Sequence, residues 1–338
     1  MLSHRGRVRH ANEDACDARP ERRVFVVCDG MGGAAAGEVA SHLALQTFLD
    51  SLDWQPSLAQ PSAQANAQPS VRTRPIPPQS ASQSGPVAAR PPQDGELGQN
   101  GAAPHPPTHP RARLEEAVRA ANHAVFRHSL RSRSLRGMGT TLVALLLDDA
   151  PLPVEDAALF PDDAALGWRD ADPDAPNSIP GPTLWLVHVG DSRCYRLRSG
   201  ALHLLTQDHS LVEEQIQAGL ISRLQASSSP IRNIITRVIG PQPAVEPEIA
   251  AHPAQAGDLY LLASDGLTRD LDDAEIAAIL SRAAPRAASA SLGSFEASES
   301  ALLATLQAAL DTACQALIDA ANAKGGGDNI TVLLVPCP

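Results

Sequence analysis

The sequence predicts an α+β protein whose sheets are antiparallel and covered on both faces. Seven short apolar runs, each bounded by Gly, Asp or Ser, have strand length. Several are apolar at consecutive rather than alternate positions, as strands buried on both faces are. Strands that follow one another directly, as in "CYRLRSGALHLL", pair as hairpins, whereas a doubly wound parallel sheet needs a helix between them.

In chain order, "VFVVCDG" is the first of these strands, and "GEVASHLALQTFLDSL" follows with helical apolar spacing. Residues 52–112 are crowded with Pro, Gln, Ser and Ala. Such a composition buries too little apolar surface to offset chain entropy, so a disordered, low-complexity insertion is expected there. "RLEEAVRAANHAVFRHSLRS" reads as a helix and "TTLVALLL" as a strand. Residues 148–182, acidic and proline-studded, are expected to form an exposed loop insertion. "TLWLVHVGD" and "RCYRLR" are strands, with Trp185 and Tyr195 packed beside the core, and the second turns at Ser199-Gly200 into "ALHLLT". "DLYLLASDG" is a further strand, and residues 285–300 are expected as a loop. In "ALLATLQAALDTACQALIDAANA", Leu302, Leu306, Leu310, Leu317 and Ala321 share a face that marks a core helix, and "NITVLLV" is the last strand.

Composition excludes several functions. The net charge of −11 over 338 residues argues against nucleic acid as a partner. "MLSHRGRVRHANED" lacks the apolar region of a signal peptide, and no run approaches the roughly 18 apolar residues that cross a bilayer. A soluble, cytoplasmic protein without a membrane partner is expected. The five cysteines are odd in number and form no C-x-x-C pair, so reduced thiols are expected. Lys324 is the single lysine and precedes three glycines, which removes both a Walker A loop and a kinase. "LASDG" has Leu262 where a serine-nucleophile elbow needs glycine.

The stretch "VFVVCDGMGGAAAGEVA" poses the functional question. Gly30, Gly32 and Ala35 satisfy a dinucleotide-binding pattern, with Asp50 twenty positions beyond Gly30. Yet no strand follows Asp50, and Asp29 would face an anionic pyrophosphate, so that reading fails. Asp29 instead belongs to a recurring arrangement. "VVCDG" ends a strand at Asp29-Gly30, "VHVGDS" another at Asp191, "LLASDG" a third at Asp265, and "GGGDN" sets Asp328 before the last strand. One Asp-Gly is ordinarily a turn. Acids repeated beside long apolar strands are better read as oxygen ligands for hard divalent cations such as Mg2+ or Mn2+, because such a cluster repels itself unless metal neutralises it. "RVRHANEDA" adds Glu13 and Asp14 as ligands, with Arg9 nearby. Several carboxylates, two metals and an arginine suit phosphoester hydrolysis: metal lowers the pKa of a bridging water, and guanidinium orients the phosphate.

In this order, "RVRHANEDA", "VVCDGMGGAAAGEVAS", "GMGTTLVALLL", "VHVGDSRCYRL", "LTQDHSLVEEQIQAGLI", "RNIITRVIG", "LLASDGLTRDLDDAEI" and "GGGDNITVLLV" resemble the PPM family of metal-dependent Ser/Thr protein phosphatases (type 2C), in its bacterial subgroup. The resemblance covers nearly all the chain outside the insertions. It implies a single domain over residues 1–338, built as a four-layer α-β-β-α sandwich, with a flap at 207–240 over a metal cleft. It implies that Asp29 bridges two Mn2+ or Mg2+ ions, that Gly30 gives its carbonyl, and that Asp265 and Asp328 complete one ion's shell. Glu13 and Asp14 would contact the metals directly or through water, and Asp191 with Asp265 would hold a third, weaker ion. Arg9 matches the phosphate-binding arginine, and Asn329, which follows Asp328 as in the family, and His10 would both support the ligands without touching metal. The implied activity is hydrolysis of phosphoserine and phosphothreonine on proteins by a metal-bridging water, opposing a bacterial Ser/Thr kinase.

Two departures stand out. Met31 occupies a position where many members carry a His that is a candidate proton donor, and "ASSSPIRN" lacks a His-Pro common in the flap. Two other functions were weighed: a catalytically dead domain that binds phosphoproteins, which the intact acid set and Arg9 argue against, and a hydrolase of small phosphoesters, which generic site chemistry does not separate from the first.

Overall fold

The computed structural model describes residues 1–32, 36–53, 109–158, 178–227, 229–292 and 299–337. Two five-stranded antiparallel sheets form its centre. The first is ordered β1 (Leu2–His4), β14 (Ile330–Pro336), β13 (Leu259–Ala263), β10 (Arg193–Arg198), β11 (Ala201–Leu204). The second is ordered β12 (Glu248–Pro253), β9 (Thr183–Val189), β6 (Leu142–Asp148), β3 (Val24–Cys28), β2 (Ala15–Arg19). Short ribbons pair β4 (Gly30–Met31) with β5 (Gly139–Thr140) and β7 (Leu152–Pro153) with β8 (Ser178–Ile179). The helices are α1 (Ala36–Asp53), α2 (Pro110–Ser129), α3 (Leu211–Gln217), α4 (Arg223–Ser227), α5 (Asp265–Thr268), α6 (Asp273–Leu292) and α7 (Glu299–Ala323).

The continuous apolar strands explain the layering. Along β6, Val143, Leu145 and Leu147 face the other sheet and pack with Leu186, Tyr260, Leu262 and Leu333. The alternate residues Leu142, Ala144 and Leu146 face outward and pack with Phe48 of α1 and with Leu114 and Val118 of α2. On the far side, Leu261, Val332 and Leu334 pack against Ile276 of α6 and Leu317 and Ile318 of α7. The expected four-layer α-β-β-α sandwich is therefore present, and each buried Leu or Ile contributes about 2 kcal/mol. Trp185 and Tyr195 are buried as expected, and the hairpin turns at Ser199 (φ 50°) and Gly200 (φ 84°), left-handed backbone at both positions.

The structure also differs from expectation in places. Strands β1, β2 and β12 were not anticipated; all three are sheet edges, and their half-buried, polar-containing sequences carry no continuous apolar run. The expected insertion at 52–112 is shorter at both ends, since residues 52–53 close α1 and 110–112 open α2; residues 54–108 lie outside the described residues. Within 148–182, expected as exposed loop, Leu152 and Ile179 of the short ribbon are buried, and residues 159–177 lie outside the described residues. Residues 285–292, expected as loop, continue α6, because an alanine-rich segment extends a helix already nucleated. The flap region contains α3, capped by Ser210, and α4. Among the described residues no helix is long and apolar enough to cross a membrane.

Candidate metal centre

Antiparallel pairing places the end of one strand beside the start of its neighbour, and that is how acids distant in sequence meet. Asp29 follows β3, Asp191 lies between β9 and β10, and Asp265 opens α5 directly after β13. Asp328 precedes β14, while Glu13 and Asp14 precede β2. Asp14, Asp265, Asp191 and Asp328 all act electrostatically on Asp29. The predicted ligands are thus one cluster.

Hydroxyl residues that the sequence analysis did not single out hold this cluster in place. The Asp29 carbonyl accepts from the Thr140 hydroxyl and the Thr141 amide, both at 2.8 Å. The Asp29 amide donates to Thr141 Oγ1 at 3.0 Å, and that oxygen also hydrogen-bonds Ser192, beside Asp191, at 2.7 Å. Asp14 Oδ2 accepts from Ser264 (2.8 Å) and Thr331 (2.6 Å). Asn329 is buried and ties down the loop that carries Arg9 and Glu13. Its Nδ2 donates to the carbonyls of Arg5 and Ala11, and its Oδ1 accepts from the Glu13 amide at 2.8 Å. Of the two residues expected to support the ligands, Asn329 makes these bonds, whereas His10 is exposed. Met31 is half-buried on β4, and its thioether carries no proton to donate.

Close approach dictates two glycines. A Cβ on Gly266 would lie 1.9 Å from the Asn329 carbonyl oxygen, and one on Gly30 would lie 2.3 Å from that of Gly37. The aspartate-glycine pairs are therefore not interchangeable turns; here the backbones touch.

The electrostatics follow from burial. Desolvation first, and then repulsion among the carboxylates, pushes Asp29 well above the usual carboxylate range. Burial likewise raises Asp14 to about 7 despite its two hydroxyl donors, and raises Asp191 to about 7 and Asp265 to about 6. Glu13 is raised for the same leading reason. Asp14 Oδ1, Asp191 Oδ1 and Asp265 Oδ1 are buried and accept no hydrogen bond. Buried carboxylate oxygens without donors are the atoms that a divalent cation would satisfy, so the residues present fit an oxygen-ligated metal site. Arg9 Nη2 lies 2.8 Å from Asp328 Oδ2, and Arg269 Nη1 lies 2.6 Å from the same oxygen. Arg269 was not foreseen; four residues after Asp265, it lies on the same helical face.

A cavity of about 310 Å3 opens between the segment 208–233, which carries α3 and α4, and this centre, lined by Asp191, Arg193, Arg223, Arg232, Asp265 and Arg269 among others. The described cysteines are free, and burial raises the Cys28 thiol, next to Asp29, well above its usual value, which speaks against a thiolate nucleophile.

A second group, His188, His209 and Glu248, offers potential ligand atoms within 4.8 Å of one another. The imidazole rings are stacked, with centroids 4.6 Å apart and planes at 21°. Metal–imidazole bonds lie in the ring plane, and nearly parallel stacked rings do not aim in-plane lone pairs at one ion. His209 Nδ1 accepts from the Gly190 amide at 3.1 Å, while the His209 amide donates to the Gly190 carbonyl at 3.0 Å. His209 thus clamps the residue preceding Asp191, and the cluster is a strut beneath the flap.

No protein-family model matches the chain. Over 334 residues it is 27% identical to the "Serine/threonine phosphatase stp" of Listeria innocua, covering 98% of this chain and 92% of that protein. Over 222 residues it is 33% identical to the "Putative protein phosphatase 2C-type" of Streptococcus pyogenes, covering 66% of this chain and 67% of the relative. The chain belongs to the PPM (type 2C) family of metal-dependent Ser/Thr protein phosphatases. Among solved PPM structures, the catalytic domain of the Ser/Thr protein phosphatase PstP in complex with two manganese ions is similar. It aligns with a TM-score of 0.58 at 28% identity, covering 98% of this chain and 94% of that one. Within the PPM sandwich, the acid cluster at one end of the paired sheets is this phosphatase's metal centre candidate.

Proposed function

We propose that this PPM phosphatase removes phosphate from phosphoserine and phosphothreonine on proteins, with Mn2+ or Mg2+ held by Asp29, Gly30, Asp265, Asp328, Glu13 and Asp14. The carrying observation is the pair of buried carboxylate oxygens, Asp14 Oδ1 and Asp265 Oδ1, that accept no hydrogen bond beside Asp29. When bound there, divalent ions would supply Lewis acidity at the phosphoryl group and lower the pKa of water. The chain's own residues do the rest. Thr140 and Thr141 fix Asp29 through its backbone, and Asn329 anchors the loop bearing Glu13. Arg9, half-exposed at the rim and braced by Asp328, offers a planar fork to the substrate phosphate. We read the whole chain as one phosphatase domain, acting in the cytoplasm and opposing a Ser/Thr kinase on that kinase's targets.

The test is phosphate release from a phosphothreonine peptide with Mn2+, with EDTA, and with the Asp29→Asn and Asp328→Asn variants. Turnover with Mn2+ that EDTA abolishes, and that both variants lower by at least a hundredfold, is the expected result. A folded, metal-loaded protein that hydrolyses small phosphoesters but not the peptide would sink the protein-phosphatase reading.

A further inference from the structure

The metal-centre reading leaves Arg269 unused, and this residue has the most unusual surroundings of any cation in the molecule's described part. Its amide donates to the Asp265 carbonyl at 2.9 Å, which places its side chain on the Asp265 face of α5. Its Nη2 contacts Asp265 Oδ2, and its Nη1 lies 2.6 Å from Asp328 Oδ2. Asp191 and Asp29 also act on it electrostatically. Two carboxylates therefore contact one guanidinium and two more lie within its electrostatic reach, while its side chain is only 33% exposed. Asp191, Asp265 and Arg269 line the same 310 Å3 cavity, on the side of the cluster that faces the flap.

An arginine is charged at every accessible pH, so its positive charge is a fixed part of the site. A divalent ion coordinated by Asp191 and Asp265 would sit beside that charge, in a partly desolvated cavity where like charges repel strongly. The same guanidinium also engages Asp265 Oδ2, one of the two oxygens this carboxylate has to offer an ion.

We propose that Arg269 is a built-in counter-cation of the Asp191–Asp265 face, and that it occupies by charge the place of a third divalent ion. The inference rests on the metal-centre reading above. It makes the centre a two-ion site in which the flap-side acids are balanced by protein. It also makes Arg269 a positioning residue, one that holds Asp265 and Asp328 in register from outside the pair of ions.

The test counts ions rather than turnover. Metal-free wild type, Arg269→Gln and Arg269→Lys are titrated with Mn2+; bound metal is measured by equilibrium dialysis with elemental analysis, and free Mn2+ by electron paramagnetic resonance. Folding is checked by circular dichroism, and the partial exposure of Arg269 favours tolerance of both substitutions. The expected result is two ions on wild type and on Arg269→Lys, which keeps the charge. Arg269→Gln should take a third ion at least tenfold more tightly than wild type does, and Asp191→Asn in that background should remove it. A third ion bound equally well by wild type overturns the proposal, and so does a Gln variant that still stops at two; both outcomes leave the metal centre standing. The wild-type count decides even if the Gln variant does not fold. Failure of all three proteins to bind Mn2+ would instead remove the metal-centre reading on which the proposal rests.

Discussion

Without metal, this protein should become less stable as pH rises from 5 to 7. Asp14 and Asp191 are raised from 3.8 to about 7, and Asp265 from 3.8 to about 6, chiefly by burial. A carboxyl raised in the folded state binds a proton that the unfolded chain has already released. The stability it contributes is complete below pH 3.8 and is lost as pH climbs through the folded value. Each pH unit costs about 1.4 kcal/mol per group until the folded value is approached, where the slope halves, so Asp14 alone accounts for about 2 kcal/mol between pH 5 and 7. The Asp14 and Asp191 figures are not summed, because the repulsion they share belongs to the cluster. His188 works the opposite way: burial lowers it from 6.5, so its contribution is recovered as pH rises towards 6.5. The aspartates outnumber it. At roughly 2 °C per kcal/mol for a protein of this size, Tm in EDTA should fall by about 4 °C over the window from Asp14 alone. With Mn2+ the trend should reverse, since ligands deprotonate to bind metal and the stabilisation grows with pH. Calorimetry at pH 5, 6 and 7, with EDTA or Mn2+, reads both slopes. A Tm in EDTA that is flat or rises across the window would refute the account, as would an Asp14→Asn/Asp191→Asn double variant with an unchanged slope.

Two further outcomes follow from packing. Gly266→Ala should push α5 away from the start of β14, because the new Cβ would meet the Asn329 carbonyl at 1.9 Å; a loss of about 1–3 kcal/mol and a clear weakening of Mn2+ binding are expected by denaturant unfolding and dialysis. Asp258→Ala should cost about 3–5 kcal/mol by urea unfolding, since Asp258 is the bidentate partner of buried Arg198 at 2.7 and 2.6 Å, while Mn2+ affinity should be unchanged because β13 separates Asp258 from the centre by about 17 Å.

The α+β class, the core strands and the helices α1, α2 and α7 were legible because each leaves a local mark. A strand buried on both faces is apolar throughout, as in "TLVALLL", and a core helix repeats at helical spacing, as in α7. The edge strands β1, β2 and β12 left no such mark, since polar residues interrupt each of them and none carries a continuous apolar run. The proposed ligands were legible for a related reason: an acid placed against an apolar strand stands out. Ser264, Thr331, Thr140 and Thr141 did not, because a hydroxyl in a strand or turn is unremarkable until its partner is known.

The sequence by itself singled out the acids and the arginine that we propose carry the chemistry, since residue type and strand context are properties of the chain. Only the tertiary structure decided which neighbours neutralise them. That Arg269 shares the Asp328 oxygen with Arg9, that Asn329 rather than the exposed His10 supports the Glu13 loop, and that His209 clamps the residue before Asp191 all depend on segments far apart in the chain. Hydrogen bonds and ion pairs form over a few ångströms, and what lies within that distance is set by the docking of two sheets rather than by any spacing along the chain.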